Sequence, residues 1–308
     1  MKQPRIVVVG SSNTDLIVQT ERIPAPGETV LGSDLTMAAG GKGANQAVAA
    51  ARLGAQVTFV ARLGVDDFGK QALKKLEAED IDCSHLQLDP GLPSGAALIM
   101  VQHGGQNAIA VAPGANSGLS PSDVDRAYEK LRQSQALLLQ LEVPVETVRH
   151  AADLARRQGL IVVLNPAPAQ RLEAELLRQV SVLTPNESEA EILTGVKVED
   201  ESSARQAARK MGELGASSVV ITLGEKGAYL LTKDEAALIP APKVDAVDAT
   251  AAGDAFNGAL ACALAAGFSI AEAVAQANVA GALSVTRLGA QPSLPTRQEV
   301  TAFRDGLK

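Results

Sequence analysis

Aromatic side chains are scarce in this chain of 308 residues: they make up 2% of it, and there is no Trp. Proteins that read single-stranded nucleic acids stack the bases on aromatic rings, so this composition gives such a role little support. The net charge of −7 also argues against binding along a phosphate backbone. We therefore expect no nucleic-acid partner, and a core built from Leu, Val, Ile and Ala.

Cysteine, histidine and long apolar runs are also few. The two cysteines, Cys83 and Cys262, lie far apart, which predicts structural thiols in a reducing compartment rather than a disulfide framework. The three histidines show no metal-ligand spacing. No apolar run approaches the roughly 18 residues needed to span a membrane, and the first run is too short for a signal peptide. These absences predict a cytoplasmic protein without a membrane partner.

Alternating β-like and α-like segments occupy most of the chain. The predicted strands of this alternation are 5–10, 57–61, 136–141, 160–164, 180–183, 218–222 and 228–231. The predicted helices are 42–53, 67–78, 121–132, 146–157, 187–193, 202–214, 252–265, 270–285 and 296–305. Repeated βα units predict an α/β fold with a doubly wound, mostly parallel sheet, in which ligands bind beyond the carboxyl ends of the strands.

One region interrupts this alternation. Residues 95–101 and 107–112 read as two strands joined by the turn HGGQ, the pattern of a β-hairpin. Another β-like segment covers residues 15–19. These segments predict a small sheet that stands apart from the main one.

Two glycine-rich segments are candidates for phosphate or ligand binding, although neither is a P-loop. Residues 39–45, AGGKGAN, precede a predicted helix, and residues 222–227, TLGEKG, join two predicted strands. Both could equally be ordinary glycine turns. The first strand is not followed by G-x-G-x-x-G, which argues against a dinucleotide-dependent oxidoreductase.

The stretch VDATAAGDAFNGAL, residues 247–260, places two aspartates six positions apart around a bend of small residues. If a helix begins near Ala251, the amides of Ala252, Gly253 and Asp254 are free to bind an anion. A carboxylate beside such an anion hole suits phosphoryl transfer to a hydroxyl, with Asp254 accepting the proton. We expect the helix N-terminus to keep Asp254 ionised. The alternative is that Asp254 only complements the helix dipole and Asp248 only caps a turn.

Taken together, these residues resemble the ribokinase family of sugar kinases, also called pfkB-type carbohydrate kinases. The resemblance covers residues 6 to about 295 and rests on two motifs, GGKGANQA at 40–47 with Gly54 and Gly64 after it, and DATAAGD at 248–254. Further similar segments are 10–15, 113–116, 184–189 and 286–293. The sequence departs from the family pattern at Ala249, where the family usually has Thr, Ser or Pro.

The resemblance implies one ribokinase-like domain over residues 1–308, with a lid sheet from segments 13–39 and 94–112 and a homodimer through the lids. It implies ATP-dependent phosphorylation of D-ribose at the 5-hydroxyl, with Asp254 as the base and Ala251, Ala252 and Gly253 forming the anion hole. The implied sugar ligands are Asn13, Asp15, Gly41, Lys42, Asn45, Val111, Glu142 and Asp254.

For the nucleotide and the metals, the resemblance implies three further groups of residues. ATP would contact Asn186, Thr222, Gly224, Gly227 and Asn278. Magnesium would be held by Glu189 through water. Potassium would be held by Asp248, by the carbonyls of Thr250, Ser284, Arg287 and Gly289 and by the hydroxyl of Ser293. The alternatives are a kinase of 2-deoxyribose, fructose or a nucleoside, a non-catalytic sugar-binding protein and, least supported, a Rossmann oxidoreductase.

Overall fold

The computed structural model describes residues 3–102 and 106–306. Its strands, in chain order, are β1 (Arg5–Val9), β2 (Asn13–Thr20), β3 (Thr36–Gly40), β4 (Gln56–Val60), β5 (Arg62–Gly64), β6 (Gln87–Asp89), β7 (Gly95–Gln102), β8 (Asn107–Ala112), β9 (Ala136–Leu139), β10 (Ile161–Leu164), β11 (Val182–Leu183), β12 (Val219–Thr222), β13 (Ala228–Leu231) and β14 (Ala236–Ile239).

The helices, in chain order, are α1 (Lys42–Arg52), α2 (Asp67–Ala78), α3 (Pro121–Arg126), α4 (Tyr128–Arg132), α5 (Val145–Arg157), α6 (Ala174–Leu177), α7 (Glu187–Thr194), α8 (Glu201–Glu213), α9 (Ala252–Ala265), α10 (Ile270–Ser284) and α11 (Arg297–Gly306). The helix predicted over 121–132 is therefore two short helices, separated at Ala127. Its dihedral angles, φ −92° and ψ 8°, leave the helical region, which the local sequence pattern did not indicate.

The main sheet confirms the predicted α/β architecture. Its eight strands lie in the order β14-β13-β12-β11-β10-β9-β1-β4. All pairs from β4 to β12 are parallel, and only β13 and β14 run antiparallel to their neighbours. The carboxyl ends of all strands of this sheet except β13 consequently share one edge, where the loops that carry the site meet.

Two apolar layers cover the two faces of this sheet. Val7 and Val9 pack into one layer, whereas Ile6 and Val8 pack into the other, as expected for successive side chains of a strand buried on both faces. The second layer holds α1, α9 and α10 and is rich in alanine. Small side chains let these helices approach closely. A Cβ built at Gly258 of α9 would lie 2.5 Å from the Cβ of Ala49 in α1.

A separate four-stranded sheet has the order β3-β2-β7-β8. The β2–β7 pair is parallel, and the β2–β3 and β7–β8 pairs are antiparallel. This sheet, called the lid sheet below, agrees with the predicted second sheet. Residues 103–105 of the HGGQ turn lie outside the described residues.

Within residues 3–102 and 106–306, none of the helices has both the length and the apolar character required to cross a membrane.

Candidate active site

The bend before α9 depends on an unusual backbone conformation. Ala251, the residue before the helix, is in the left-handed region with φ 61°, which non-glycine residues rarely adopt. The Ala252 amide then donates to the Ala249 carbonyl over 3.2 Å. The prediction that this amide is free is therefore wrong, because the tight turn uses it. The amides of Gly253 and Asp254 find no acceptor among the described residues, and no atom lies within 4 Å of where a Gly253 side chain would begin.

The carboxylate of Asp254 lies in the first turn of α9, as predicted, and its side chain is held by α1. Asn45 Nδ2 donates to Asp254 Oδ2 over 2.9 Å, and Gln46 Nε2 donates to Asp254 Oδ1 over 2.9 Å. Asp254 is buried, with 7% of its surface exposed. Each carboxylate oxygen therefore has one amide donor, which fixes the plane of the carboxyl group.

Burial raises the pKa of Asp254, although Lys42, Asn45 and Gln46 act in the opposite direction. The expectation that the helix N-terminus keeps the pKa of Asp254 from rising is therefore wrong. Desolvation of this buried carboxylate outweighs the favourable amides and the nearby ammonium. A raised pKa brings the group closer to the range in which a general base is effective.

A second carboxylate, Glu142, caps the start of α1. Its Oε2 accepts from the Lys42 backbone amide over 3.0 Å and from Ser11 Oγ over 2.6 Å. Gly41 precedes the helix with φ 87°, a conformation that a side chain would strain. An anion at a helix N-terminus is favoured by the free amides and the dipole, so Glu142 is fixed at this position.

Lys42 is the cation among several carboxylates. Burial alone would lower the pKa of Lys42, but Asp254, Glu142 and other acidic groups raise it above its usual value. Burial, together with Glu142 and Asp254, raises the pKa of Asp15 to about 6, while Lys42 opposes this shift. The structure thus brings Asp15, Lys42, Glu142 and Asp254 into one electrostatic cluster, as the resemblance implied.

Two asparagines present polar groups in the same region. The Oδ1 atom of Asn13 accepts from Asn116 Nδ2 over 2.7 Å, which leaves the Asn13 amide hydrogens for another acceptor. The Oδ1 atom of Asn45 is buried and has no hydrogen-bond partner among the described residues. An unpaired buried acceptor is costly, so it marks a place where a ligand hydroxyl fits.

Val111 belongs to this side of the lid sheet. Ala97 of β7 pairs with Asp15 of β2 and with Val111 of β8. Directly paired residues lie on the same face of a sheet, so Val111 shares a face with Asp15. Its side chain is half exposed, which leaves it open to contact a ligand or another chain.

The residues expected at the nucleotide meet through one set of loops. Asn186 forms an isolated parallel bridge with Thr222. The turn that follows contains Gly224 and Gly227, with φ 55° and 101°. Asn278 of α10 donates to the Ile239 carbonyl over 2.8 Å, and a Cβ at Gly227 would lie 2.1 Å from that carbonyl oxygen. The donors of Asn278 are thus used to hold the backbone, while the turn at Gly224 is open.

Glu189 links this region to the carboxylate cluster. It is in the first turn of α7, where its Oε2 accepts from the Asn186 amide over 2.9 Å. Burial raises the pKa of Glu189, with Lys42 and Asp254 among the groups that act on it. No group of three His, Cys, Asp or Glu side chains in the described part of the chain could hold a metal ion by itself.

The bend residue Asp248 has different partners from Asp254. Its Oδ1 accepts from the Thr250 amide over 2.9 Å and from Thr250 Oγ1, and its Oδ2 accepts from the Gly289 amide over 2.8 Å. The Val285 carbonyl accepts from the Asp248 amide over 3.1 Å. These bonds join the bend to the loop after α10.

The other residues expected around a cation are buried or paired nearby. The Oγ atoms of Ser284 and Ser293 donate to the carbonyls of Gly281 and Ala290, and the Arg287 guanidinium pairs with Glu299. The donor set of one carboxylate, hydroxyls and carbonyls fits a hard cation such as potassium.

Sequence reasoning assigned no role to several polar residues that build the site. They are Ser11, Gln46, Asn116, Gln140 and Asn165. Asn165 directly follows the predicted strand 160–164, and Gln140 lies at the end of the predicted strand 136–141. That position, at the ligand-binding edge, is a signal that could have identified them.

A buried carboxylate beside free helix amides, at the carboxyl edge of a doubly wound sheet and next to a small lid sheet, defines an α/β phosphotransferase with a ribokinase-like fold. Residues 3–297 match the pfkB family of carbohydrate kinases. The chain belongs to this family.

Individual relatives agree over almost the whole length. The chain is 46% identical to the ribokinase of Haemophilus influenzae, with 97% of each chain covered. It is 40% identical to the deoxyribokinase of Salmonella typhi, covering 97% of this chain and 98% of the relative. The solved Arabidopsis thaliana ribokinase complexed with ribose and ATP is 35% identical, with a TM-score of 0.90 and coverage of 97% and 98%.

Proposed function

We propose that this protein phosphorylates D-ribose at its 5-hydroxyl, with ATP as the donor, to give D-ribose 5-phosphate. The observation that carries the proposal is the arrangement at the start of α9. Asp254 is fixed by two side-chain amides directly beside the free backbone amides of Gly253 and Asp254. The similarity to ribokinases, one of them solved with ribose and ATP, supports the choice of substrates.

In this reaction Asp254 takes the proton of the attacking 5-hydroxyl, and the sugar oxygen bonds to the γ-phosphorus as the bond to ADP breaks. The amides of Gly253 and Asp254 stabilise the charge on the transferring phosphoryl oxygens. Lys42 stabilises negative charge in the same cluster. The proton leaves Asp254 to solvent after the sugar phosphate departs.

The sugar is held by the polar groups beneath the lid sheet. Asn45 Oδ1, which lacks a partner, would accept from one ribose hydroxyl, while Asp15 and Glu142 would accept from others. Asn13 and Lys42 supply donors, the Gly41 backbone lines the pocket, and Val111 covers the apolar face of the sugar ring. The whole chain then works as one domain with the lid sheet as its cover.

Two cations complete the proposal. Magnesium would be held mainly by the ATP phosphates and would reach Glu189 through water, because magnesium keeps several waters in protein sites. ATP itself would lie along Asn186, Thr222, Gly224, Gly227 and Asn278. A potassium ion at Asp248, with Thr250, Ser284, Arg287, Gly289 and Ser293, would hold the bend that forms the anion hole.

A coupled kinase assay with a panel of sugars tests the substrate. We expect D-ribose to give the highest kcat/KM, because Asn13 and Asp15 would match its hydroxyls, and a site built on hydrogen bonds rejects analogues that lack one. Faster turnover on 2-deoxyribose would instead make the protein a deoxyribokinase. The similarity to the Salmonella deoxyribokinase is the reason for including this sugar. Fructose and a nucleoside complete the panel.

A non-catalytic sugar-binding role is the alternative of another class. Calorimetry with ribose, run beside the assay, distinguishes the two. Tight ribose binding without phosphoryl transfer to any sugar would replace the proposal by this alternative. The free amides of Gly253 and Asp254, which could bind the transferring phosphoryl group, favour a kinase over a non-catalytic sugar-binding protein.

We also infer a homodimer of cytoplasmic subunits joined through their lid sheets. Met37 and Leu98, on the face of the lid sheet opposite Asp15, are each at least half exposed, and the sheet has two open edges. A second copy would cover this apolar surface and pair an edge strand. Sedimentation at micromolar concentration tests the inference, and a monomer there would contradict it.

A further inference from the structure

A chain of buried carboxamides connects the sheet to the base. Gln140 Nε2 donates to Gln46 Oε1 over 2.6 Å, and Gln46 Nε2 donates both to Asn165 Oδ1 over 3.1 Å and to Asp254 Oδ1 over 2.9 Å. Asn165 Nδ2 in turn donates to the Thr184 carbonyl over 3.2 Å. Gln46 and Gln140 are fully buried. The family motif contains Gln46, but Gln46 is not among the residues that the resemblance assigns to the sugar or the nucleotide.

The direction of each hydrogen bond in this chain follows from its neighbours. The Thr184 carbonyl can only accept, so the amide of Asn165 donates to it and its oxygen faces Gln46. The Oδ1 atom of Asn165 accepts from Gln46, so the nitrogen of Gln46 is the atom that meets Asp254, and Gln46 Oε1 is left to accept from Gln140. A donor is thus always presented to Asp254 Oδ1, without the need to reorient when the hydroxyl proton arrives.

The anchors of Gln46 lie on rigid elements. Gln140 and Asn165 each follow directly on a strand, β9 and β10, which pair with each other in the parallel sheet. Gln46 itself is on α1, and Asp254 is on α9. These hydrogen bonds therefore fix the Asp254 carboxylate relative to the ends of two central strands.

From this geometry we infer that Gln46 is a positioning residue for the base, held in its donating orientation by Gln140 and Asn165, and that it sets both the plane and the basicity of the Asp254 carboxylate. The inference rests on the proposed role of Asp254 in phosphoryl transfer. Gln46 does not touch the reacting atoms, so its effect should appear in turnover rather than in sugar affinity.

Other charged groups also face Asp254. They are Lys42 of α1, Glu142 after β9, Asp15 of β2 and Glu189 of α7. None of these is altered by a substitution at position 46, so a change in the behaviour of Asp254 in such a variant reports on the amide itself.

Two substitutions separate shape from hydrogen bonding. Gln46→Met keeps the length of the side chain but loses the donor, and we expect kcat to fall about tenfold to 100-fold, with ribose affinity within about threefold of wild type. Gln46→Glu keeps the shape of glutamine but places a carboxylate against Asp254. We expect a larger loss of kcat, because adjacent like charges force the pair to share a proton.

Two further variants complete the design. Gln140→Met removes the anchor and leaves Gln46 in place, so we expect a loss in the same direction but smaller. If thermal melting shows that a substitution at position 46 prevents folding, Gln140→Met still tests the hydrogen bonds that hold Asp254. Gln158→Met at the end of α5, at the opposite edge of the sheet, is the matched control and should behave as wild type.

A measurement on the protein without substrate tests this inference independently of the proposed reaction. Carbon NMR of labelled aspartates, with the Asp254 signal assigned by its loss in Asp254→Asn, follows the ionisation of the base. We expect the midpoint to rise by about one pH unit in Gln46→Met, because a donor to the charged form has been removed. An unchanged midpoint, or kcat in Gln46→Glu within threefold of wild type, would overturn the inference even if ribose is phosphorylated.

Discussion

Asp248 and Asp254 are separated by one short bend, yet their surroundings differ in every respect. Burial alone would raise the pKa of Asp248, but hydrogen bonds from Thr250 and Gly289 outweigh it and lower the pKa. For Asp254, burial dominates and the pKa is raised. One carboxylate thus accepts hydrogen bonds that join two loops, and the other, with its raised pKa, has the proton affinity that the proposed base requires. The deeper burial of Asp254 makes the difference, because Asp248 is only partly buried.

The largest effect is expected from removing the base. Asp254→Asn should lower kcat about 1,000-fold while much of the ribose affinity remains, because the general base is lost but the other sugar ligands stay. A coupled assay and calorimetry measure the two quantities. Asp245→Asn, an exposed aspartate shortly before the bend, is the control and should be fully active. Turnover of Asp254→Asn within tenfold of wild type would remove the assigned role.

Asp15 extends the comparison to a proposed sugar ligand with a raised pKa. Asp15→Asn should weaken ribose binding about 100-fold, because a charged acceptor of sugar hydroxyls is lost. In wild type, the KM for ribose should rise as the pH falls through about 6, where Asp15 takes up a proton. A KM that is constant from pH 5 to pH 8 would contradict this.

The same residue should cost stability in the free protein. The pKa of Asp15 is about 6 in the fold against an ordinary 3.8, so the folded chain binds this proton more tightly, and stability falls as the pH rises from about 4 to 6. Asp15→Asn should therefore be more stable than wild type by about 1 to 2 kcal/mol at pH 8, and the gain should disappear near pH 4. Denaturant unfolding at both pH values measures it, and an equal difference at both would exclude the electrostatic cause.

A smaller effect is expected at the other aspartate. Asp248→Asn keeps an acceptor for Thr250 but loses the charge that would attract potassium, so turnover should fall about tenfold and lose most of its response to potassium. Assays in potassium, in sodium and without either cation measure this. If the variant and wild type respond to potassium alike, Asp248 has only a structural role in the bend.

The smallest effect is expected at Ala251, where the backbone between the aspartates is strained. Ala251→Gly should leave stability within about 1 kcal/mol of wild type, because glycine adopts φ 61° freely but is more flexible when unfolded. Ala251→Val should destabilise the protein by about 2 kcal/mol, since a branched side chain is poorly tolerated in this conformation. Thermal melting compares the two, and equal stability would show that the bend relaxes.

Much of the fold followed from patterns in the sequence. The strands of the parallel sheet, the hairpin of the lid sheet and the start of α9 were predicted within one to two residues. The edge strands β3 and β14 were missed, because their sequences show little alternation and their pairing is decided by neighbours. The free amide predicted at Ala252 was also wrong, since the local turn that uses it depends on an unexpected left-handed alanine.

The sequence by itself determined which segments carry chemistry: the two motifs at 40–47 and 248–254, the small residues that allow close approach and the carboxylates at helix starts. Only the tertiary structure decided how these residues act. Gln46 and Asp254 are 208 positions apart, and Gln46 and Gln140 are 94 apart. Their meeting, and the burial that raises the pKa of the base, require the close packing of α1 and α9 against the sheet. Desolvation and hydrogen-bond direction are properties of that packing, and no local pattern contains them.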